Sequence, residues 1–216
     1  MAKMSVEKKA ALILAGFMVS EGAIVMLSFL GSPAKFMAYI GFADGRHGAA
    51  LGWLLALAVT VAYVVSSLHL PSVRANLVRP SMLKLLALPM ALFAGILEEA
   101  VFRGALMDHL ARQGSSVAVQ ILLSGLTFGL AHGIWGLFGK SLRATLGATF
   151  VTGVLGAALA VVYLASGRLL MPCIAAHFII DALIEPGIVL AACRGEMNRL
   201  RSAVATDREG RREKGS

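Results

Sequence analysis

The sequence predicts an all-α protein, a multipass transmembrane helical bundle of about six spans, and three observations carry that prediction. Of its 216 residues, 58% are hydrophobic and only 15% are charged, and the mean hydropathy is +0.79. A soluble domain carries about 25% charged residues and about 45–50% apolar ones. Several apolar runs reach the roughly 20 residues that cross a hydrocarbon core of ~30 Å, and basic residues collect in the segments between them.

The first span covers roughly 10–30. Lys8 and Lys9 precede it, but it is longer than an ordinary signal core and shows no small-residue cleavage site, so it reads as a retained helix. The second covers roughly 49–70, after a short polar loop with Asp44, Arg46 and His47, and Pro71 ends it. A basic segment with Arg74, Arg79 and Lys84 follows. The third element starts near Met82, runs through Pro89 to Leu97 and continues into EEAVFRGALMDHLA, which keeps helical spacing while carrying charge. The fourth covers roughly 115–131, the fifth 144–165 after a connection with Lys140 and Arg143, and the sixth 169–192. A seventh or re-entrant element near 98–112 is compatible with the pattern, because polar backbone is tolerated at depth when protein buries it.

Lys and Arg concentrate in the N-terminus, the 71–84 segment, the 140–143 segment and the tail, whereas the 31–48, 112–114 and 166–168 connections carry less. Six spans with both termini in the cytoplasm satisfy that alternation. Residues 1–81 thus read as an N-terminal membrane region with two spans, 82–193 as a helical core that carries the site, and 194–216, with seven basic and four acidic residues, as a disordered cytoplasmic tail.

The net charge is +8, with 20 Lys plus Arg against 12 Asp plus Glu. No basic stripe is interleaved with stacking aromatics, so anionic lipid is the expected partner and nucleic acid is not. Cys173 and Cys193 form no disulfide framework or metal motif and read as small hydrophobes.

An ionised side chain at the centre of a span costs about 2.5–3.5 kcal/mol on the insertion scale. That cost singles out Glu21, Glu98, Glu99, Arg103, His132, His177, Asp181 and Glu185. Glu99 and Arg103 are one helical turn apart and can pair; Glu98 is rotated by about 100° and is expected to face a polar cavity. A structural salt bridge at a membrane boundary would give the same spacing. His132 follows Phe128 by one turn, and alone it would suit an interfacial hydrogen bond. His177, Asp181 and Glu185 recur every four residues and form one polar face, with Pro186 just beyond.

These groups suit water activation: a carboxylate and an imidazole can share a water and take its proton, while a second histidine donates to the developing oxyanion. The same donors could hold Zn²⁺, although the HExxH spacing is absent. A purely structural network and proton or ion handling remain alternatives.

The motifs resemble those of the CPBP family, the CAAX-protease and bacteriocin-processing membrane proteins also called Abi proteins. EExxxR is matched by Glu98, Glu99 and Arg103 in EEAVFR, FxxxH by Phe128 and His132 in FGLAH, and the third motif by His177 and Asp181 in HFIID. The resemblance spans about 82–190. It implies an intramembrane endopeptidase, glutamate-type or metal-dependent, acting on a hydrophobic or lipid-modified peptide or membrane protein, in a bacterial inner membrane. It implies Glu98 as the water-activating base, His132 as its partner, His177 as the oxyanion stabiliser, and Glu99 and Arg103 as supports, with Phe128 and Glu185 beside them. If zinc were present, Glu98, His132, His177 and Asp181 would be its ligands.

Asp181 departs from the eukaryotic CAAX-processing members, which have Asn there. An ionised carboxylate would repel an oxyanion, so Asp181 is expected to orient the His177 ring instead. A non-catalytic immunity or scaffold protein and a proton-coupled transporter are the rival readings. The spans also pose a problem of depth: Glu98 lies about 24 Å along a helix begun at Met82, while His132 ends its own span. Tilting, a wrong boundary or a break near Pro89 must bring them to one level.

Overall fold

The structure, a computed structural model, describes residues 4–42, 47–133 and 142–196, and every regular element in it is helical. Asp44, Arg46, Lys140, the Arg143 side chain and the tail beyond Glu196 lie outside the described residues.

The helices are α1 (Val6–Gly31), α2 (Pro33–Tyr39), α3 (Ala50–Ser67), α4 (Pro71–Asn76), α5 (Met82–Arg112), α6 (Val117–His132), α7 (Leu142–Ala165) and α8 (Met171–Arg194). Five are long and apolar enough to cross a membrane: α1, α3, α5, α7 and α8. Local signals start and stop them. Ser5, Ser81 and Ser116 cap α1, α5 and α6 by accepting from the backbone N–H three residues on, which satisfies one otherwise orphaned donor each. Pro33 and Pro71 open the short helices α2 and α4, where a missing N–H costs nothing. Gly195, at φ 69°, closes α8 in the left-handed conformation that suits glycine.

Two features resolve the problem of depth. Helix α5 runs unbroken through Pro89, and residues 98–112 continue it instead of forming a separate re-entrant element. Its stretch Ala100–Met107 is π-helical, a widening common at functional sites. Tyr39 Oη donates to the Ala100 carbonyl at 3.0 Å, and Ser124 Oγ to that of Phe102 at 3.2 Å, so neighbouring helices hold the widened turns. Helix α6, expected as a span, is shorter than the five helices long enough to cross. Its 16 residues reach only about 24 Å, so His132 at its end comes to the level of Glu98.

Helix α8 is the most buried of the spans and touches α1, α3, α4 and α5. One apolar core joins Phe128, Leu159, Tyr163, Cys173, Ile180 and Ile184; a second joins Leu14, Met90, Val189 and Leu190 where α1, α5 and α8 meet. Cys173 is buried and free, and Cys193 is half-buried and free. The outer surface is apolar as well. Leu27, Leu57, Leu85, Leu122 and Phe150 all point outward, as the surface of a lipid-embedded bundle requires.

Helices α6 and α7 pack through small residues. A Cβ added at Gly125 would lie 2.9 Å from the Gly153 carbonyl and 3.0 Å from the Ala157 amide, so the backbones touch where side chains would normally stand. Lipid tails supply no hydrophobic drive between helices, and close van der Waals packing of this kind replaces it. Gly125→Ala should therefore destabilise the bundle by about 1–3 kcal/mol, the usual cost of overpacking. Gly147→Ala, where a Cβ meets nothing within 4 Å, should be neutral or stabilising. Thermal unfolding of both variants in detergent makes the comparison; equal behaviour would contradict the contact.

Candidate active site

The site is built where α5, α6 and α8 converge. At its base, Glu99 Oε1 accepts from Arg103 Nη1 at 2.9 Å and from His177 Nδ1 at 2.7 Å. All three side chains are buried, with exposures of 0%, 0% and 2%. Arg103 Nη2 donates to the Gly156 carbonyl at 2.9 Å, which fastens α5 to α7, and the guanidinium lies 4.7 Å from the centre of the Phe128 ring. A guanidinium suits this place because it can bond in two directions while its charge faces a ring.

Above this base lies a more open layer. Glu98, His132 and Asp181 are 21%, 20% and 18% exposed. Glu98 Oε2 stands 3.6 Å from His132 Nε2 and 3.8 Å from His177 Nε2. Those separations are too long for direct hydrogen bonds, and among the described residues Glu98 Oε2 has no hydrogen-bond partner despite being buried. His132 donates through Nδ1 to the Phe128 carbonyl at 2.9 Å and stacks on the Phe128 ring at 4.4 Å. Its Nε2 therefore presents a lone pair towards Glu98. Phe128 also meets His177 edge-on at 5.7 Å and Phe102 at 5.2 Å, so one ring sets the spacing between the two histidines.

The structure thus gathers Glu98, Glu99, Arg103, Phe128, His132, His177 and Asp181 in one place. It adds a second group, Glu99, to the one expected to orient His177. Glu99, which the i,i+4 rule assigns only to Arg103, holds the ring through Nδ1; Asp181 Oδ2 lies 3.3 Å from Nε2, on the side that faces Glu98. Pairing within one helix is visible in a spacing, whereas the contact of Glu99 with a residue 78 positions away is not. Glu185 makes no direct contact with the histidines, but Asp181, Glu98, Glu21 and His177 lie within its electrostatic reach. Glu21, on α1, belongs to the same neighbourhood, within reach of Glu98, Asp181 and His177, and its Oε2 is buried without a partner among the described residues.

Residues 80–183 match the model of a family described as type II CAAX prenyl endopeptidase Rce1-like. The matched segment holds Glu98, Glu99, Arg103, Phe128, His132, His177 and Asp181, and stops short of Glu185. No curated protein and no solved structure matches the chain.

Arg103→Met should leave Glu99 as a buried carboxylate without its cation and destabilise the protein by about 3–5 kcal/mol. Adding Glu99→Gln removes the stranded charge and should recover much of that loss. Denaturation of the single and double variants in detergent measures both; a mild effect of Arg103→Met alone would contradict the buried pair.

Proposed function

Because residues 80–183 belong to the Rce1-like family, we propose that this protein is an intramembrane endopeptidase that cleaves peptide bonds with water activated by Glu98 and His132. One observation carries the reading. Two acceptors, Glu98 Oε2 and the lone pair on His132 Nε2, face each other at 3.6 Å. Direct contact satisfies neither, but a water about 2.8 Å from each would donate one hydrogen to each.

In this reading the water attacks the scissile carbonyl as Glu98 takes its proton. The proton then passes from Glu98 to the departing amine, so the carboxylate is regenerated. His177, fixed through Nδ1 by Glu99, turns Nε2 to the same space and, when that nitrogen carries a proton, donates to the oxyanion. Arg103 and Glu99 set its position without touching substrate. Asp181, beside His177 Nε2, supports the proton on that nitrogen.

The steps above are written without a metal. Were Zn²⁺ bound, Glu98, His132, His177 and Asp181 would hold it and it would supply a more acidic water; the engagement of each histidine Nδ1 with a carbonyl or carboxylate is equally the usual arrangement of a metal-ligating histidine.

An apolar substrate fits the surroundings. A lateral groove of about 420 Å³ between α3 and α8 is lined by Trp53, Thr60, Val64, Ala176 and Ile179 among others, and Ala176 adjoins His177 in the chain. A hydrophobic or lipid-modified peptide could lay its apolar part there and present its backbone to Glu98. The distribution of Lys and Arg favours both termini on the cytoplasmic side of a bacterial inner membrane.

Purified protein in liposomes, assayed against a library of apolar and prenylated peptides, tests the activity. Glu98→Gln and His132→Ala should each lower kcat by about 10²–10⁴, the range of general acid–base catalysis, while folding is retained. Unchanged turnover in both variants would remove the assignment. Exhaustive chelation should leave the rate intact; a loss that zinc restores would replace the water-only mechanism with a metal one.

A further inference from the structure

Lys84, in the first turn of α5, has no part in the chemistry above, yet its ammonium turns inward. Nζ donates to the carbonyl oxygens of Ala182 at 2.7 Å and Leu183 at 2.5 Å, both on α8. A lysine near the end of a span ordinarily extends towards the interface. This one holds two main-chain carbonyls of another helix.

The cause lies on α8. Pro186 stands inside that helix and has no N–H, so the Ala182 carbonyl lacks its usual donor four residues on, and the proline ring crowds the same turn. Gly187 follows, pressed against α4: an added Cβ would lie 2.9 Å from the Val73 amide and 3.0 Å from the Ser72 carbonyl. Movement of the turn towards α4 is therefore blocked. Within a bilayer a stranded carbonyl must be satisfied by a neighbour, and the neighbour is Lys84.

The same two helices meet at three levels. Lys84 bonds to Ala182 and Leu183; Gly95 lets α5 approach the backbone of Ile174 and Phe178, where a Cβ would meet atoms at 3.3 and 3.4 Å; and Glu99 holds His177. Asp181 lies between the two polar fastenings. We propose that Lys84 is a positioning residue: by capping the Ala182 carbonyl that Pro186 strands, together with the neighbouring carbonyl of Leu183, it fixes the rotation of α8 that keeps Asp181 and His177 turned towards Glu98. The kinetic part of this inference rests on the peptidase reading, while the brace itself does not.

A double-mutant cycle on the full-length protein separates the two. Lys84→Met and Lys84→Arg are made alone and with Pro186→Ala, and each is followed by thermal unfolding and by peptide hydrolysis. Lys84→Met should lower kcat by about tenfold with KM within about twofold, the pattern of a lost transition-state arrangement. Lys84→Arg should keep most of the rate. With Pro186→Ala present, a backbone N–H serves Ala182 and Lys84→Met should become nearly neutral in both measurements. Equal losses in the two backgrounds would overturn the proposal. Should Lys84→Met fail to fold alone, recovery alongside Pro186→Ala is the expected result and continued failure the overturning one. Absence of any peptidase activity in the parent protein would remove the functional reading, while the coupling seen in thermal unfolding would still decide the brace.

Discussion

One carboxylate holds the site together. Glu99 is fully buried, and its Oε1 receives both Arg103 Nη1 and His177 Nδ1. A buried ion pair adds little net stability over apolar residues of the same size, but breaking one is costly because the remaining charge cannot return to water. Its effect here is therefore geometric. Any rotation of α8 that withdraws His177, or of α5 that withdraws Arg103, leaves charge unshared in an apolar interior. The second arm of Arg103, on the Gly156 carbonyl, extends the same constraint to α7. Three helices are thus fixed through Glu99 and Arg103, which touch no substrate in the proposed mechanism, and Glu98, the residue before Glu99 on α5, is carried into the more open layer.

The other half of the site depends on small residues. Phe128 is buried at 1% exposure and contacts both histidine rings. It can sit there because α7 comes close: a Cβ added at Gly156 would lie 2.8 Å from Phe128 Cβ. The glycines of α6 and α7 thereby set the depth of Phe128 and, through stacking and the Nδ1 bond to its carbonyl, the aim of His132. Packing and chemistry are the same problem at this point. The place of His132 on α6 thus depends on how closely the backbones of α6 and α7 approach.

The sequence made the bundle legible because hydrocarbon enforces one rule over long stretches: about 20 apolar residues must be helical to satisfy their own backbone. The polar residues were legible by the same rule, since Glu98, Glu99, Arg103, His132, His177 and Asp181 are costly where they stand. Pairing of Glu99 with Arg103 follows from local spacing. The bond of Glu99 to His177, the Gly156 carbonyl under Arg103 and the inward turn of Lys84 all join residues dozens of positions apart, and no periodicity encodes them. The π-helical stretch Ala100–Met107 was hidden for a related reason. It keeps the apolar pattern of an α-helix, and the groups that hold it, Tyr39 and Ser124, come from other helices. The short helices α2 and α4 were read as connections because six or seven residues carry too little periodicity to stand out, although proline marks the start of each.

The polar cluster and the walls around it have different origins along the chain. Residues 80–183 hold the groups assigned to chemistry, whereas α1 and α3 precede that segment. Helix α1 packs on α5, where Gly22 admits the ring of Phe93, and it carries Glu21 into electrostatic reach of Glu98. Helix α3 supplies Trp53, Thr60 and Val64 to the lateral groove. Tyr39, at the end of α2, donates to the carbonyl of Ala100 immediately after the two glutamates. A helical core can keep one hydrolytic arrangement while the elements that frame it vary, because the ion pair at its base needs only α5, α7 and α8. Helix α1 adjoins the polar cluster through Glu21, and α3 forms one wall of the lateral groove.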